Sequence, residues 1–186
     1  NFGPHKKYLP YVEGETHHTI PLVTADDDLL YPRDWLETLV AAYRPEDRVV
    51  VAHRVHRIAV VRNDIAPYWT WGRATSSRPS ARHFATGGSG LVLPPAVLDH
   101  LRELGRGFEG RAPTADDVWL NFAILDSGHR VRPLLHLEES DYGQTRGIGR
   151  HLVEPLMVQN VFHGGNDAQI DQTYDASTRS TVLADV

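Results

Sequence analysis

Three adjacent carboxylates, those of Asp26, Asp27 and Asp28, directly follow an apolar run at residues 20–24. Neighbouring negative charges repel one another, so the cluster is costly unless a cation or hydrogen-bond donors neutralise it. If the chain stays extended beyond the run, Asp26 and Asp28 project to the same side. Their oxygens would suit Mg²⁺ or Mn²⁺, which share their coordination shell with phosphate groups. The triplet therefore indicates either a cation site at a strand end or a solvated acidic turn that caps the helix beginning at Pro32.

A second acidic pair, Asp116 and Asp117, stands where Pro113 and Thr114 introduce another predicted helix. A carboxylate in such a position can serve as a general base. However, Thr114 and Asp117 also have the spacing of a capping box, with Asp in place of the usual Glu or Gln. The residues by themselves favour capping, so a catalytic role for this pair needs further support.

Two other segments offer contacts to a ligand without defining one. The glycine-rich stretch at residues 87–90 would let the backbone approach a sugar closely, and its alternative is a plain turn before a strand. The rings of Trp69 and Trp71 could stack on sugar faces, although large aromatic side chains more often belong to the core.

Other metal chemistries fit the spacing less well. An EF-hand loop beginning at Asp26 would need glycine at its sixth position, where Tyr31 stands. His17 and His18 point apart on an extended chain, and the zinc motif His-Glu-x-x-His is absent from the sequence. A phosphatase of the haloacid-dehalogenase type also has Asp-x-Asp after an apolar strand. Its second acidic pair would follow another apolar strand, whereas residues 110–114 are polar, so this class remains only an alternative.

The composition places these residues in a folded globular chain. Its 186 residues are 41% hydrophobic with a net charge of −5, so it can bury a core and lacks the basic field of a dedicated nucleic-acid-binding protein. The absence of cysteine excludes disulfides and thiolate metal sites, and no apolar stretch is long enough to cross a bilayer. We expect a soluble protein in a reducing compartment, with one domain at residues 1–175 and a frayed tail at residues 176–186.

Strand and helix patterns alternate along the chain, which predicts an α/β fold. Strands are predicted at residues 20–24, 48–53, 57–62, 91–93 and 131–135. Helices are predicted from Pro32 to Pro45, with Leu36, Leu39, Val40 and Tyr43 on one face, from Pro94 to about Leu104, and from Thr114 to Gly128. Residues 63–83 are expected to form a long surface loop. No strand–helix unit precedes the acidic triplet, so we expect the first such unit of the fold to be missing.

Taken in order, several motifs resemble bacterial GT-A-type glycosyltransferases that carry an Asp-x-Asp motif. The matching residues are Gly3-Pro4-His5-Lys6-Lys7-Tyr8, Val23-Thr24-Ala25-Asp26-Asp27-Asp28 with Tyr31-Pro32 and Trp35-Leu36, Thr86-Gly87-Gly88-Ser89-Gly90 with Leu93-Pro94-Pro95, Ala115-Asp116-Asp117-Val118-Trp119-Leu120, and Gly165-Asn166-Asp167. The resemblance implies a GT-A-like, Rossmann-like mixed sheet flanked by helices.

The resemblance also implies roles on the donor side of a transfer reaction. In this family the first Asp of the motif contacts the nucleotide ribose or the metal, and the last one coordinates the metal. Asp26 and Asp28 would hold these roles here, with Asp27 assisting. Lys7 would reach the diphosphate of the donor.

On the acceptor side, the second acidic motif of the family supplies the general base in inverting enzymes. The resemblance therefore implies Asp117 as the base, with Asp116 as the next choice. A late histidine would add a metal ligand, and the sequence does not choose between His136 and His163. The implied acceptor-binding residues are Gly87, Gly88, Ser89, Gly90, Trp69 and Trp71.

The function implied is that of a metal-dependent, hexosyltransferase-like glycosyltransferase. With Mn²⁺ or Mg²⁺ it would move a sugar from a nucleotide-sugar donor, of UDP type, to a glycan or other hydroxyl acceptor with inversion. The setting implied is polysaccharide biosynthesis in the cytoplasm or at the inner face of the membrane. Two alternatives stay open: a haloacid-dehalogenase-like phosphohydrolase with Asp26 as nucleophile, and a non-catalytic module that binds a nucleotide or a sugar.

Overall fold

The computed structural model describes residues 2–144, 160 and 164–185. Its strands are β1 (Leu22–Val23), β2 (Leu29–Leu30), β3 (Val49–Ala52), β4 (Val55–Arg57), β5 (Val60–Val61), β6 (Asp64–Ile65), β7 (Gly72–Arg73), β8 (His83–Ala85), β9 (Leu91–Leu93), β10 (Arg130–Pro133) and β11 (Gly143–Gln144). Its helices are α1 (Leu9–Gly14), α2 (Trp35–Ala42), α3 (Pro95–Leu104), α4 (Phe108–Arg111), α5 (Asp116–Asp126), α6 (Gly165–Thr173) and α7 (Ala176–Ala184). Within these residues, none of the helices combines the length and the apolar character that a membrane crossing requires.

The centre of the fold is a four-stranded sheet in the order β1-β9-β3-β10. β9 is antiparallel to β1 and β3, and β10 is parallel to β3, so β1, β3 and β10 all end at the same edge. In β3, Val50 and Val51 are fully buried, as expected of an apolar strand covered on both faces. Val50 packs in the main core with residues of α3 and α5, whereas Val51 packs with Leu39 of α2. The mixed α/β architecture, a mixed sheet flanked by helices, confirms the broad prediction of the fold.

Residues 57–83 differ from the prediction of one strand followed by a surface loop. β5 and β6 form a hairpin whose two loop residues, Arg62 and Asn63, have φ angles of 51° and 62°. Such a turn needs positive φ at both positions. Neither residue is a glycine, so the sequence does not predict the turn. β7 then joins β4 and β8 in a three-stranded sheet, and Trp71, Ala74 and Ala81 are buried. Much of the segment therefore belongs to the core.

Helix α2 begins at Trp35, three residues after Pro32, and it packs through a different stripe from the one predicted. Trp35, Leu39, Ala42 and Tyr43 face the sheet, at the i, i+4, i+7 and i+8 positions of a helix. Two residues of the predicted stripe, Leu36 and Val40, are exposed. Because the Trp35 indole donates to the Ser89 carbonyl at 2.7 Å, the helix is turned so that this ring, and not Leu36, points inward.

The carboxy-terminal segment is helix α7, which corrects the expectation of a frayed tail. Asp175 caps the helix by accepting a hydrogen bond from the Thr178 amide at 2.8 Å, an ordinary helix-capping contact. Val182 is fully buried in the main core. Asp185 then accepts hydrogen bonds from the Ser80 hydroxyl and the Ala81 amide. Capping, burial and this last contact together fix a segment whose polar sequence gives little apolar signal.

The buried Asn121 of α5 fastens strand β8 to the helix. Its side chain accepts from the Ala85 amide at 2.9 Å and donates to the Ala85 carbonyl at 2.7 Å. An Asn121→Ala variant leaves both buried groups without a partner, so we expect unfolding by denaturant to show a loss of about 2–4 kcal/mol. Glu103→Ala removes an exposed side chain and is the control, with a change within about 0.5 kcal/mol. Equal stabilities of the two variants would contradict this role.

Candidate active site

The two acidic motifs and the glycine-rich turn meet at one edge of the central sheet. β1 ends there and leads into Asp26, and the turn Gly87–Ser89 comes directly before β9, which runs the opposite way. The ends of β3 and β10 lie at the same edge, because these two strands are parallel and in register. In open α/β sheets, ligands commonly bind outside the carboxyl ends of strands. The topology therefore collects the acidic motifs and the glycine-rich turn where a ligand would be expected.

Lys7 joins the two acidic motifs. Its ammonium nitrogen lies 2.7 Å from Asp26 Oδ1 and 3.0 Å from Asp116 Oδ2; the second contact is an ion pair without the geometry of a hydrogen bond. Burial alone would lower the pKa of Lys7, but the carboxylates of Asp116, Asp117 and Asp26 raise it above its usual value. The ammonium therefore stays charged and neutralises part of the acidic cluster.

The position of Lys7 is fixed by a buried histidine in the same 3-10 turn, Gly3–Lys7. The His5 ring stacks on Phe108 with 3.9 Å between centroids. One ring nitrogen, Nε2, donates to the Ala112 carbonyl at 2.8 Å, and Nδ1 then accepts from the Tyr8 hydroxyl at 2.7 Å. Burial lowers the pKa of His5, in agreement with this neutral tautomer. This role of His5 has no local signal in the sequence, because two of its partners, Phe108 and Ala112, lie more than one hundred residues away.

Asp117 does not cap its own helix. Its Oδ1 accepts a hydrogen bond from the Gly87 amide at 2.7 Å. The Thr114 amide, which a capping box would direct to Asp117, donates instead to the Gln169 side chain at 3.0 Å. The N-cap residue of α5 is Ala115, which makes no side-chain cap. The capping interpretation is therefore wrong, and the carboxylate is directed at the glycine-rich turn.

The environment of Asp117 shifts its titration towards neutrality. Burial of the side chain and repulsion by Asp116 raise the pKa of Asp117 to about 7, against the opposing effects of Lys7 and of the Gly87 amide. A carboxyl group with a pKa near the working pH can both hold and release a proton, as general bases do.

The glycines of the turn are required by what lies against them. A side chain at Gly88 would overlap the Asp26 carboxylate, and a Cβ at Gly90 would come 2.6 Å from Trp35 Nε1. Gly90 also has a φ of +102°, which residues with side chains rarely adopt. The turn is therefore shaped around Asp26 and Trp35.

Three aromatic side chains that were given no role in the sequence analysis hold this turn in place. The Tyr31 hydroxyl donates to the Gly88 carbonyl at 2.6 Å. The Ser89 carbonyl accepts from the Trp35 indole at 2.7 Å and from the Tyr142 hydroxyl at 3.2 Å. Tyr31-Pro32 and Trp35 stand in the matched motifs, but nothing in the sequence indicates that they bind a turn more than fifty residues away.

The remaining predicted residues occupy different environments. Asp27 is exposed, and Asp28 is partly buried. Trp69 is 73% exposed, so its ring is accessible to a ligand. Trp71 is buried and donates to the Ala66 carbonyl, which leaves its ring unsuited to stacking on an acceptor, against the prediction.

The late histidines divide in the same way. His136 is exposed, and its ring lies 5.2 Å from that of His53, near the edge of the sheet where β3 and β10 end. His163 lies outside the described residues.

Metal binding can be tested on the side chains at this edge. Within the described residues, no three side chains of the metal-binding types stand close enough to hold an ion by themselves. Asp26 and Asp28 supply carboxylate oxygens, and Mg²⁺ is often bound by one or two carboxylates with the remaining ligands from substrate phosphates and water. The donor set therefore fits a cation that arrives with a phosphate-bearing ligand, and it does not form a ready-made metal centre.

Two surface depressions lie away from this cluster. One of about 500 Å³ is lined by residues that include Pro45, Pro94 and His129, and one of about 350 Å³ is lined by residues that include Asp99 and Arg102. Neither includes a residue of the acidic motifs, so the case for a site rests on charge and contacts and not on a cavity.

Comparisons of the chain with protein-family models, with curated proteins and with solved structures give no match. A candidate function therefore rests on the chemistry of the site residues.

The raised pKa of Asp117 has a consequence for stability. A carboxyl group whose folded-state pKa lies above its unfolded value of about 3.9 favours the folded state at low pH, and this contribution is lost as the pH rises to about 7. In Asp117→Asn the loss is absent. We expect its unfolding free energy, relative to the unmodified chain, to rise by roughly 2–3 kcal/mol between pH 5 and pH 8.

Denaturant unfolding at several pH values measures this difference. Asp47→Asn, at an exposed aspartate just before the start of β3 and so at the other end of that strand, is the control and should follow the unmodified chain at every pH. If Asp117→Asn did the same, the raised pKa would be refuted.

Proposed function

We propose that this chain is a metal-dependent glycosyltransferase that moves a sugar from a nucleotide-sugar donor to a hydroxyl acceptor. The observation that carries the proposal is the meeting of Asp26 and Asp116 on the Lys7 ammonium, with Asp117 beside them and held by the Gly87 amide. A bare helix cap or a solvated acidic turn would need none of these contacts. The GT-A-like form of the fold belongs to the same proposal, as do a location in the cytoplasm or at the inner face of the membrane and a part in polysaccharide biosynthesis.

On the donor side, Asp26 and Asp28 would hold Mn²⁺ or Mg²⁺ together with the diphosphate of a UDP-type donor. When bound, the cation stabilises the negative charge that develops on the departing nucleoside diphosphate. Lys7 adds a positive charge at the same place, since its ammonium already contacts Asp26. The metal ion and the Lys7 ammonium would together offset the repulsion among the carboxylates and between them and the anionic donor.

On the acceptor side, Asp117 acts as the general base. Its Oδ1 is engaged by the Gly87 amide, so Oδ2 takes the proton from the acceptor hydroxyl. The hydroxyl oxygen then forms a bond to the anomeric carbon of the donor, and the bond from that carbon to the phosphate oxygen breaks with inversion. Of the proposed acceptor contacts, the partly buried Gly88 and the exposed ring of Trp69 are accessible to a ligand. Gly87, Ser89 and Gly90 are buried and would act only through the shape of the turn.

The phosphohydrolase alternative makes a different demand on Asp26. A nucleophilic carboxylate has to present one oxygen to a phosphorus atom. Asp26 Oδ1 is bound by Lys7 and Oδ2 lies against the backbone of Gly88, so one of these contacts has to open for attack on phosphorus, as it does for coordination of a cation. Trapping of beryllofluoride at Asp26 would favour that alternative over a transferase.

The donor side is tested by thermal unfolding in the presence of nucleoside diphosphates. Because a ligand that binds only the folded chain raises the melting temperature, we expect UDP with Mn²⁺ to raise it more than UDP or Mn²⁺ alone. Asp28→Ala should abolish the gain from Mn²⁺, and Asp47→Ala should keep it. The same titration in Asp28→Ala and in the unmodified chain would defeat the assignment of Asp28.

The acceptor side is tested by separating binding from turnover. Asp117→Asn keeps an oxygen for the Gly87 amide but cannot take up a proton, so we expect unchanged binding of UDP with Mn²⁺ and a fall in transfer of at least about 100-fold. Release of UDP from a UDP-sugar in the presence of glycan acceptors measures the transfer. Ligand binding without any turnover in the unmodified chain would instead support the non-catalytic module.

A further inference from the structure

The Tyr31 hydroxyl connects the two acidic motifs through the glycine-rich turn. It accepts a hydrogen bond from the Asp26 amide at 2.6 Å and donates its single hydrogen to the Gly88 carbonyl at 2.6 Å. The Asp26 carbonyl, at 3.3 Å, is the more distant possible acceptor. One phenolic oxygen therefore fixes the start of the first acidic motif against the middle of the turn.

The neighbouring carbonyls of the turn are bound from the same part of the chain. The Thr24 hydroxyl donates to the Gly87 carbonyl at 2.9 Å, and the Trp35 indole donates to the Ser89 carbonyl at 2.7 Å. Three successive carbonyls therefore point towards the segment that carries the acidic triplet.

The opposite side of the turn presents an amide to the base. With its carbonyls held by the first motif, the turn directs the Gly87 amide to Asp117 Oδ1 at 2.7 Å. The absence of a side chain at Gly88 lets the Asp26 carboxylate pack directly against this backbone. Asp26 and Asp117 are thus connected through the turn, in addition to the Lys7 bridge between Asp26 and Asp116.

We infer that Tyr31 is a positioning residue for the transfer reaction: its hydroxyl sets where Asp117 stands relative to the donor held at Asp26. The inference rests on the proposed function and adds a residue that touches neither the acceptor proton nor the leaving group. Loss of the hydroxyl leaves the Asp26 amide and the Gly88 carbonyl without this partner, so the turn and the Gly87 amide can shift. A misplacement of about 1 Å between reacting groups can lower a rate by about 100-fold.

Tyr31→Phe is the test, since it removes one oxygen and keeps the ring that packs on Trp35 at 4.4 Å between centroids. Tyr43→Phe is the matched control, because Tyr43 is a partly buried tyrosine that packs on the same side of the sheet and takes no part in the site. In Tyr31→Phe we expect kcat for sugar transfer to fall by about 10- to 100-fold, with the KM for the donor within about threefold of its original value. Tyr43→Phe should change neither constant.

Hydrogen exchange of the turn gives a readout that does not depend on activity. The Gly87 amide should exchange at least about tenfold faster in Tyr31→Phe than in the unmodified chain or in Tyr43→Phe. A folded Tyr31→Phe variant with unchanged exchange and unchanged kcat would overturn the inference. If the unmodified chain transfers no sugar, the proposed function fails, while the exchange experiment still decides whether Tyr31 positions the turn.

A second variant covers the case in which Tyr31→Phe does not fold. Gly88→Ala keeps the tyrosine but places a methyl group against the Asp26 carboxylate, which forces the turn and the first motif apart. We expect a comparable fall in kcat together with a higher donor KM, because the displaced Asp26 carboxylate is itself proposed to hold the donor. Unchanged kcat in Gly88→Ala would show that the spacing set by the turn does not matter, and the inference would be wrong.

Discussion

The Lys7 ammonium holds together carboxylates that would otherwise repel one another. Asp26 comes from the end of a strand and Asp116 from the start of a helix, and each contacts the same nitrogen. Because the ammonium is largely buried, little solvent screens these attractions. The position of His5 follows from this requirement, since a long flexible side chain can bridge two motifs only if the backbone beneath it is fixed. The stacked and hydrogen-bonded His5 ring supplies that fixed base.

Helix α5 bears two carboxyl groups whose burial costs free energy, and apolar burial of the rest of the helix offsets part of that cost. Its first turn holds Asp116 and Asp117, and burial of such groups disfavours their charged forms. The next turns, from Val118 to Leu125, are buried almost without interruption, so apolar burial stabilises the helix that bears these charges. Asn121 stands one turn after Asp117 and accepts and donates to β8. The helix is therefore held on the strand that leads into the glycine-rich turn.

The elements that the sequence predicted are those with strong local signals. Apolar runs and prolines marked β3, β9, α3 and α5 because burial and helix initiation act over a few residues. The hairpin at Arg62 and Asn63 was not predicted, because non-glycine residues rarely adopt positive φ and nothing in the sequence indicates it here. Helix α7 was not predicted, because its buried face includes the polar Thr178 as well as Val182 and the apolar pattern is therefore weak.

The candidate site was predicted in its parts more than in its connections. The residue types at the two acidic motifs pointed to the residues that the fold brings together at one sheet edge. The contacts of Asp117 could not be predicted locally, since its partner Gly87 and the Gln169 side chain that takes the Thr114 amide both lie far away in the chain. The same holds for Tyr31, whose partner is Gly88. Contacts between distant segments decide these roles, and composition and periodicity carry no information about them.

The pairing of β10 with β3 has a consequence for the whole molecule. These parallel neighbours are in register, yet β4 to β9 and α3 to α5 lie between them in the chain. Closing so long a loop costs conformational entropy before the strand contacts form, and this slows folding. The Lys7 cluster likewise ties an amino-terminal turn to the helix that precedes β10. Both connections join segments that are far apart in the chain, so a ligand bound at this edge reports that these segments have come together.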